Sequence, residues 1–252
     1  MRSEDTDETI LSGGRMMKVA WFSCGATSAI TCYLALQEDK DTEIVYIETG
    51  SHHPDSLRFL KDCEDKLFHK KIIILQSKYK DIFDVFEKTG FIKSPHYAPC
   101  TALLKTRVRQ EFEYNNPDIT TYYWGFESGT KEENRAKRMC ERYPEYEHKF
   151  PLIEKHLDKE SCLALLQKFG IELPEMYKLG YNNNNCIGCV KGGMGYWNKI
   201  RKDFPDVFDR MAKLERKLNA HALKECFLDE LKEDRGNINE IMPQCNIFCG
   251  MV

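Results

Sequence analysis

The stretch Trp21-Phe22-Ser23-Cys24-Gly25-Ala26-Thr27-Ser28-Ala29 decides the fold. An apolar run, Lys18 to Phe22, leads into it, and Ala29, Ile30, Tyr33, Leu34 and Leu36 lead out at three- and four-residue spacings. That change of period predicts a buried strand, a small-residue loop and the start of a helix. Such a loop turns backbone N–H groups and hydroxyls toward an anion, and the helix dipole favours negative charge there. Ser23, Thr27 and Ser28 add side-chain donors, and Gly25 allows close approach of a phosphate. The competing reading is an ordinary strand–turn–helix with a serine cap. The spacing is neither that of a Gly-rich loop ending in Gly-Lys-Ser/Thr nor that of a dinucleotide fingerprint.

Outward from the loop, the same alternation continues. Glu43 to Glu48 is a short β-rich run ending in Glu48-Thr49-Gly50. Residues 54–68 read as a helix with Leu57, Leu60 and Leu67 inward, 71–75 as a strand, and 81–89 as a short helix. A loop with Pro95, His96, Pro99 and Cys100 precedes a helix over 101–114 that carries Lys105, Arg107 and Arg109. Residues 120–126 are a strand of β-branched and aromatic residues ending at Gly125. Strands alternating with helices predict an α/β fold, a Rossmann-like and mainly parallel sheet with helices on both faces. Ligands bind at the carboxyl ends of such strands, where Ser23, Glu48 and Gly125 fall. From residue 130 onward the pattern gives helices (132–142, 158–168, 195–202, 205–220) and loops, with no strand. The expected organisation is an N-terminal extension, 1–15, without order; an α/β nucleotide-binding domain, 16–150; and a helical cysteine-bearing region, 151–252.

The chain has 252 residues, a formal net charge of -3 and eleven cysteines. No apolar run approaches the roughly 20 residues that a bilayer span needs. Residues 1–15 are acidic and polar without a secretory h-region, and Met16 or Met17 stands as an alternative start. The expectation is a cytoplasmic protein with no membrane partner. The charge argues against a general nucleic-acid coat but leaves a local basic patch open. An odd cysteine count in a reducing compartment favours metal or redox chemistry over a disulfide framework. Cys32, Cys63, Cys140, Cys162 and Cys226 sit in helical patterns and read as small buried apolar residues.

Cys186-Ile187-Gly188-Cys189 is a C-x-x-C in an Asn/Gly loop, after Asn182 to Asn185 and before Lys191-Gly192-Gly193. The pattern alone is open between zinc, an iron–sulfur cluster, a dithiol and reduced thiols with no metal. Cys100 is a candidate third ligand, with Cys245 or Cys249 a candidate fourth. Arg135 and Arg138 lie three apart on one helix face, suited either to phosphate or sulfate oxygens or to i,i+3 and i,i+4 ion pairs with neighbouring acids.

Together these pieces resemble one family. Ser23-Cys24-Gly25-Ala26-Thr27-Ser28-Ala29 is similar to the PP-loop of the ATP pyrophosphatase superfamily, above all its 3′-phosphoadenylyl sulfate (PAPS) reductase branch. Glu48-Thr49-Gly50, Cys100-Thr101 with Lys105, Gly125 with Glu132, Glu133 and Arg135, and Pro151-Leu152 resemble its later elements. Asn185-Cys186-Ile187-Gly188-Cys189 with Gly192, Gly193, Tyr196-Trp197 and Pro205 resembles the cysteine-bearing part of PAPS-reductase-like proteins, including those of phages and prophages. The resemblance covers residues 17–216. It implies an adenine nucleotide, ATP or PAPS-type, held by Ser23, Cys24, Gly25, Ala26, Thr27 and Ser28. Glu48, Thr49 and Gly50 would lie near the adenosine, and Lys105, Gly125 and Arg135 near phosphate or sulfate. It also implies a 4Fe-4S cluster on Cys100, Cys186 and Cys189, with Cys245 the candidate fourth ligand.

Two departures qualify the likeness. Thr27 stands where the loop usually has Asp, which bears on ATP adenylation and on Mg²⁺. Phe248 replaces the Glu of the Glu-Cys-Gly tail, which bears on Cys249 as nucleophile. Two catalytic expectations follow. In one, Cys249 attacks the sulfur of PAPS or its 5′-phosphosulfate relative, and an electron-donor protein or other reductant releases sulfite. In the other, ATP activates an oxygen of a nucleobase or nucleic acid, and sulfur delivered with the help of Cys100 from a sulfur donor displaces AMP. A third expectation is a non-catalytic nucleotide-binding or redox-sensing regulator. The sequence leaves a homo-oligomer open.

Overall fold

The computed structural model describes residues 16–95 and 97–240. Expectations about residues 1–15, His96, Cys245 and Cys249 therefore lie outside the described residues.

The five described strands are β1 (Met17–Phe22), β2 (Glu43–Glu48), β3 (Ile73–Gln76), β4 (Ile119–Tyr123) and β5 (Glu147–Lys149). They form one sheet in the order β3-β2-β1-β4-β5, parallel throughout. The order reverses beside β1: β2 and β3 extend to one side of it, β4 and β5 to the other. The carboxyl ends of β1 and β4 thus flank a topological switch point, where crossovers part and leave a crevice.

Both faces of the sheet are covered. On one, α1 (Ala26–Glu38), α2 (Asp55–Asp62) and α8 (Lys159–Lys168) set Ala29, Ile30, Phe59 and Leu166 against Phe22, Tyr46 and Tyr123. On the other, α5 (Arg107–Asn115) and α6 (Thr130–Arg142) set Val108, Phe112, Ala136 and Met139 against Val19, Trp21, Val45 and Tyr122. Strands buried on both faces read as the unbroken apolar runs seen in the sequence. A further core joins α3 (Ile82–Thr89) to α10 (Met194–Asp203) and α11 (Pro205–Leu218) around the fully buried Trp197. Short helices α4 (Pro99–Thr101), α7 (Pro151–Glu154) and α9 (Glu175–Lys178) complete the described helices that bear on the site. No helix among the described residues is long and apolar enough to cross a membrane.

The fold class is as expected from the sequence, with five local corrections. A strand exists after residue 130: β5 is three polar residues at the sheet edge, held by pairing of Tyr122 with His148 and by Trp124 Nε1 donating to His148 Nδ1 at 3.0 Å. Leu57 is 57% exposed rather than inward, whereas Phe59, Leu60 and Leu67 are buried. Residues Cys63–Phe68 leave α-helical register as a π-helical turn, so a single 3.6-residue stripe does not run through 54–68. Cys140 is exposed, because it lies on the solvent side of α6. Cys226 is only half-buried and lies in no helix.

Candidate functional site

The loop after β1 is built around Ser28. Its Oγ accepts from Ser23 N at 3.1 Å, from Ser23 Oγ at 3.0 Å and from Gly25 N at 3.4 Å, and donates to Gly25 O at 2.9 Å. Ser28 is buried, so it braces the loop rather than facing a ligand. Cys24 and Ala26 are also fully buried, and Cys24 takes a left-handed φ of 56°. Ser23, Gly25 and Thr27 are the loop residues open to solvent. The end of β4 closes in behind. A Cβ on Gly125 would stand 3.1 Å from the Cα and from the N of Ser28, so glycine is what lets β4 lie against the first turn of α1.

Two residues from the later part of the chain hold this loop. Asn184 Nδ2 donates to Cys24 O at 2.7 Å and to Ser56 Oγ at 3.0 Å. Tyr177, on α9, accepts at its hydroxyl from Ala26 N at 3.2 Å. Neither was singled out from the sequence. The four asparagines looked like a polar turn, and nothing in the composition marks Asn184 from its neighbours.

The element after β2 folds back on itself. Glu48 Oε1 accepts from Gly50 N at 2.6 Å, and Glu48 Oε2 accepts from the Tyr46 hydroxyl at 2.9 Å. Gly50 has φ +67°, and a Cβ there would stand 1.8 Å from Lys80 O. The Tyr46 oxygen also lies 2.9 Å from His52 Nδ1. Burial, aided by the charge of Lys105 and opposed by Glu48, pushes the His52 imidazole down to about 4, so it is neutral at neutral pH. Thr49 bridges outward from this cluster: its Oγ1 lies 3.4 Å from His52 Nδ1 and 3.3 Å from Cys186 Sγ.

That contact opens onto a cavity. Cys100, Cys186 and Cys189 line it together with Thr49, Lys105 and Lys191. Cys100 comes from α4 and Lys105 from the π-helical turn Ala102–Thr106 that follows it. The C-x-x-C turn is fixed by Tyr196, whose hydroxyl accepts from Gly188 N at 3.0 Å and Cys189 N at 2.9 Å and donates to Cys186 O at 3.3 Å. Gly188 supplies the left-handed φ of 78° that the turn needs. Ile187 N donates to Ser51 O at 2.8 Å, tying the turn to the segment after β2.

Among the described residues, the lining of this cavity contains thiols and lysines but no carboxylate and no imidazole. That is a soft, all-sulfur donor set beside cations. Among the described residues no three Cys, His, Asp or Glu side chains converge on a single ion position.

Arg135 is engaged locally. Its Nη1 donates to Glu132 Oε2 at 2.9 Å and its guanidinium lies 4.4 Å over the Phe126 ring. Beside it, burial raises the Glu127 carboxyl above the usual range. Burial lowers the amine of Lys159, which donates to Asn183 Oδ1 at 2.6 Å and to Asn182 O.

A parallel sheet with an anion-ready loop and a glycine-backed strand end at its switch point defines an α/β protein of the phosphate-binding kind. Residues 18–192 match the phosphoadenosine phosphosulfate reductase domain, and the chain belongs to that family. Two uncharacterized proteins of Methanocaldococcus jannaschii are each 23% identical to it over 75% of this chain. This chain spans 39% of the length of one of these relatives and 45% of the other. The solved PAPS reductase of Candida auris, a phosphate complex, is similar in fold with a TM-score of 0.50. It is 13% identical, and the match covers 71% of this chain and 84% of that one.

Proposed function

We propose that this protein binds an adenine nucleotide at the loop 23–28 and carries out sulfur chemistry on a PAPS-type sulfonucleotide beside a 4Fe-4S cluster. One observation carries the reading: Thr49, at the end of a nucleotide-side strand, touches Cys186, which shares its cavity with Cys100 and Cys189. Phosphate chemistry and sulfur chemistry are thereby adjacent.

Each group then has a task. Ser23 Oγ and the exposed edge of Gly25 and Thr27 receive phosphate oxygens. Lys105 and Lys191 offset the negative charge of sulfate and of thiolate-bound iron. Cys100, Cys186 and Cys189 would hold the cluster, which when bound would supply iron–sulfur redox chemistry beside the sulfate. With Cys186 as a metal-bound thiolate, the Thr49 hydroxyl 3.3 Å away would be the donor, and hydrogen bonds of that kind tune metal-bound sulfur. In the reductive reaction a thiolate attacks the sulfur of the sulfonucleotide and the S–O bond to phosphate breaks. Adenosine bisphosphate leaves, an enzyme thiosulfonate remains, and a dithiol reductant releases sulfite from it. Cys249 is the thiol proposed for the attack.

The test uses protein purified without oxygen. About four iron and four sulfide per chain, lost in Cys186→Ser, together with sulfite release from PAPS, is the expected result. A metal-free protein that releases no sulfite overturns the reading. ATP–pyrophosphate exchange without sulfite would turn it to the sulfurtransferase.

A further inference from the structure

The first residue of an α-helix has a backbone N–H with no partner inside the helix. In α1 that residue is Ala26, and its N–H is taken by the Tyr177 hydroxyl at 3.2 Å. A Cβ built on Gly25 would lie 3.5 Å from the same oxygen and 3.6 Å from Ser23 Oγ. The tyrosine oxygen thus stands over the loop, beside the residues that face a ligand. The N–H groups of Ser23 and Gly25 are already drawn onto Ser28 Oγ. The Ala26 N–H is thus one of the backbone donors an anion at this helix end would use, and Tyr177 already holds it.

We propose that the Tyr177 hydroxyl holds the place of a ligand oxygen at the anion loop, so that nucleotide binding displaces it. The proposal rests on the reading of loop 23–28 as a phosphate site. Burial pushes the phenol up to about 12, so at neutral pH the oxygen covering the helix end is uncharged. A phosphate oxygen makes charge-assisted bonds there, roughly twice as strong as neutral ones, and gains from the helix dipole. The ligand therefore outcompetes the hydroxyl, at the cost of the bond it breaks.

The segment bearing Tyr177 is tied on both sides. Ahead of it, Asp55 Oδ2 accepts from Glu175 N at 2.8 Å, and Arg58 donates to Glu172 O at 3.0 Å and Leu173 O at 3.1 Å. Behind it, the Tyr181 hydroxyl donates to Asp203 Oδ2 at 2.9 Å, Lys159 to Asn183 Oδ1 at 2.6 Å and Asn184 to Cys24 O at 2.7 Å. Displacement of the Tyr177 hydroxyl therefore releases a side chain on a short stretch that is anchored at both ends.

The experiment compares wild type with Tyr177→Phe, which keeps the ring and removes the oxygen. Inorganic phosphate and AMP binding are measured by calorimetry, and amide hydrogen exchange over 175–181 with and without phosphate. Freed of its competitor, Tyr177→Phe should bind phosphate about three- to tenfold tighter, the worth of one ordinary hydrogen bond. Exchange over 175–181 in wild type should rise on adding phosphate. Equal or weaker binding by Tyr177→Phe, with wild type binding normally, overturns this proposal alone. No phosphate binding by either protein overturns the phosphate reading of the loop as well. Should Tyr177→Phe fail to fold, the exchange measurement on wild type decides: unchanged or slower exchange sinks the displacement.

Discussion

Asn184 and Asn182 are two positions apart in a run of four asparagines, yet their loss should have very different consequences. Asn184 is 5% exposed, and its amide donates to the Cys24 carbonyl and the Ser56 hydroxyl, itself 1% exposed. Asn182 is exposed, and only its backbone carbonyl is used, by Lys159. In Asn184→Ala the buried Cys24 carbonyl loses its donor, which costs about 1–3 kcal/mol, and a second bond worth about 1 kcal/mol is lost. Part of this is returned, because Asn184 Oδ1 is itself buried without a partner. The net expectation is about 2 kcal/mol, or about 4–8 °C in Tm for a chain of this size. Cys24 sits at φ 56°, where a non-glycine residue is disfavoured by roughly 1–2 kcal/mol, so releasing its carbonyl also loosens the loop. Phosphate affinity should fall with stability. Asn182→Ala should stay within about 0.5 kcal/mol of wild type. Thermal melts of the three proteins, with phosphate titrations, provide the assay. If Asn184→Ala and Asn182→Ala melt together and bind phosphate alike, Asn184 is not the brace of the loop.

Three further outcomes are expected. Gly125→Ala drives a Cβ against the main chain of Ser28, an overpacking cost of about 1–3 kcal/mol, and should weaken phosphate binding about tenfold by calorimetry; unchanged affinity would break the link between β4 and the loop. Hydrogen bonds from Arg58 hold the Asp55 carboxyl below the usual carboxylate range, so its contribution is full above an unfolded pKa of about 3.9 and is lost as pH falls through the lower folded value. Asp55→Asn should therefore melt lower than wild type at pH 7, with the gap closing as pH falls through that lower folded value; a gap that stays constant down the acid limb contradicts the sign. Under limiting alkylation followed by mass spectrometry, the exposed Cys140 should be modified well before Cys24, Cys32, Cys63 and Cys162, whose thiols burial pushes up; equal labelling would refute this burial pattern.

The parallel sheet was legible because strands buried on both faces leave apolar runs, as Val19 to Phe22 and Ile44 to Ile47 do. β5 left no such trace: Glu147-His148-Lys149 becomes a strand only because β4 offers it an edge. Leu57 was misplaced because helical periodicity does not register a π-helical turn six residues downstream. The loop and the C-x-x-C were readable as local motifs. Cys100 stood as a candidate third ligand beside the C-x-x-C from its Pro-flanked loop, and the family resemblance grouped it with Cys186 and Cys189; spacing alone carries no information about residues so far apart. Tyr177 and Asn184 stayed hidden for a related reason. Their partners are backbone atoms of a distant loop, and backbone atoms have no sequence signature.

The central strand β1 finds its neighbour β4 late, with Val19 opposite Tyr122. The glycine that backs the loop follows β4, and the amide and hydroxyl that grip the loop come later still. A ribosome-bound chain that ends before residue 184 can form β1 and α1 but not the finished phosphate site. Long-range parallel pairing of this kind is slow. With nucleotide bound at loop 23–28 as proposed, the completed structure is favoured over partly folded forms, and nucleotide should raise refolding yield more than it raises the stability of any early fragment.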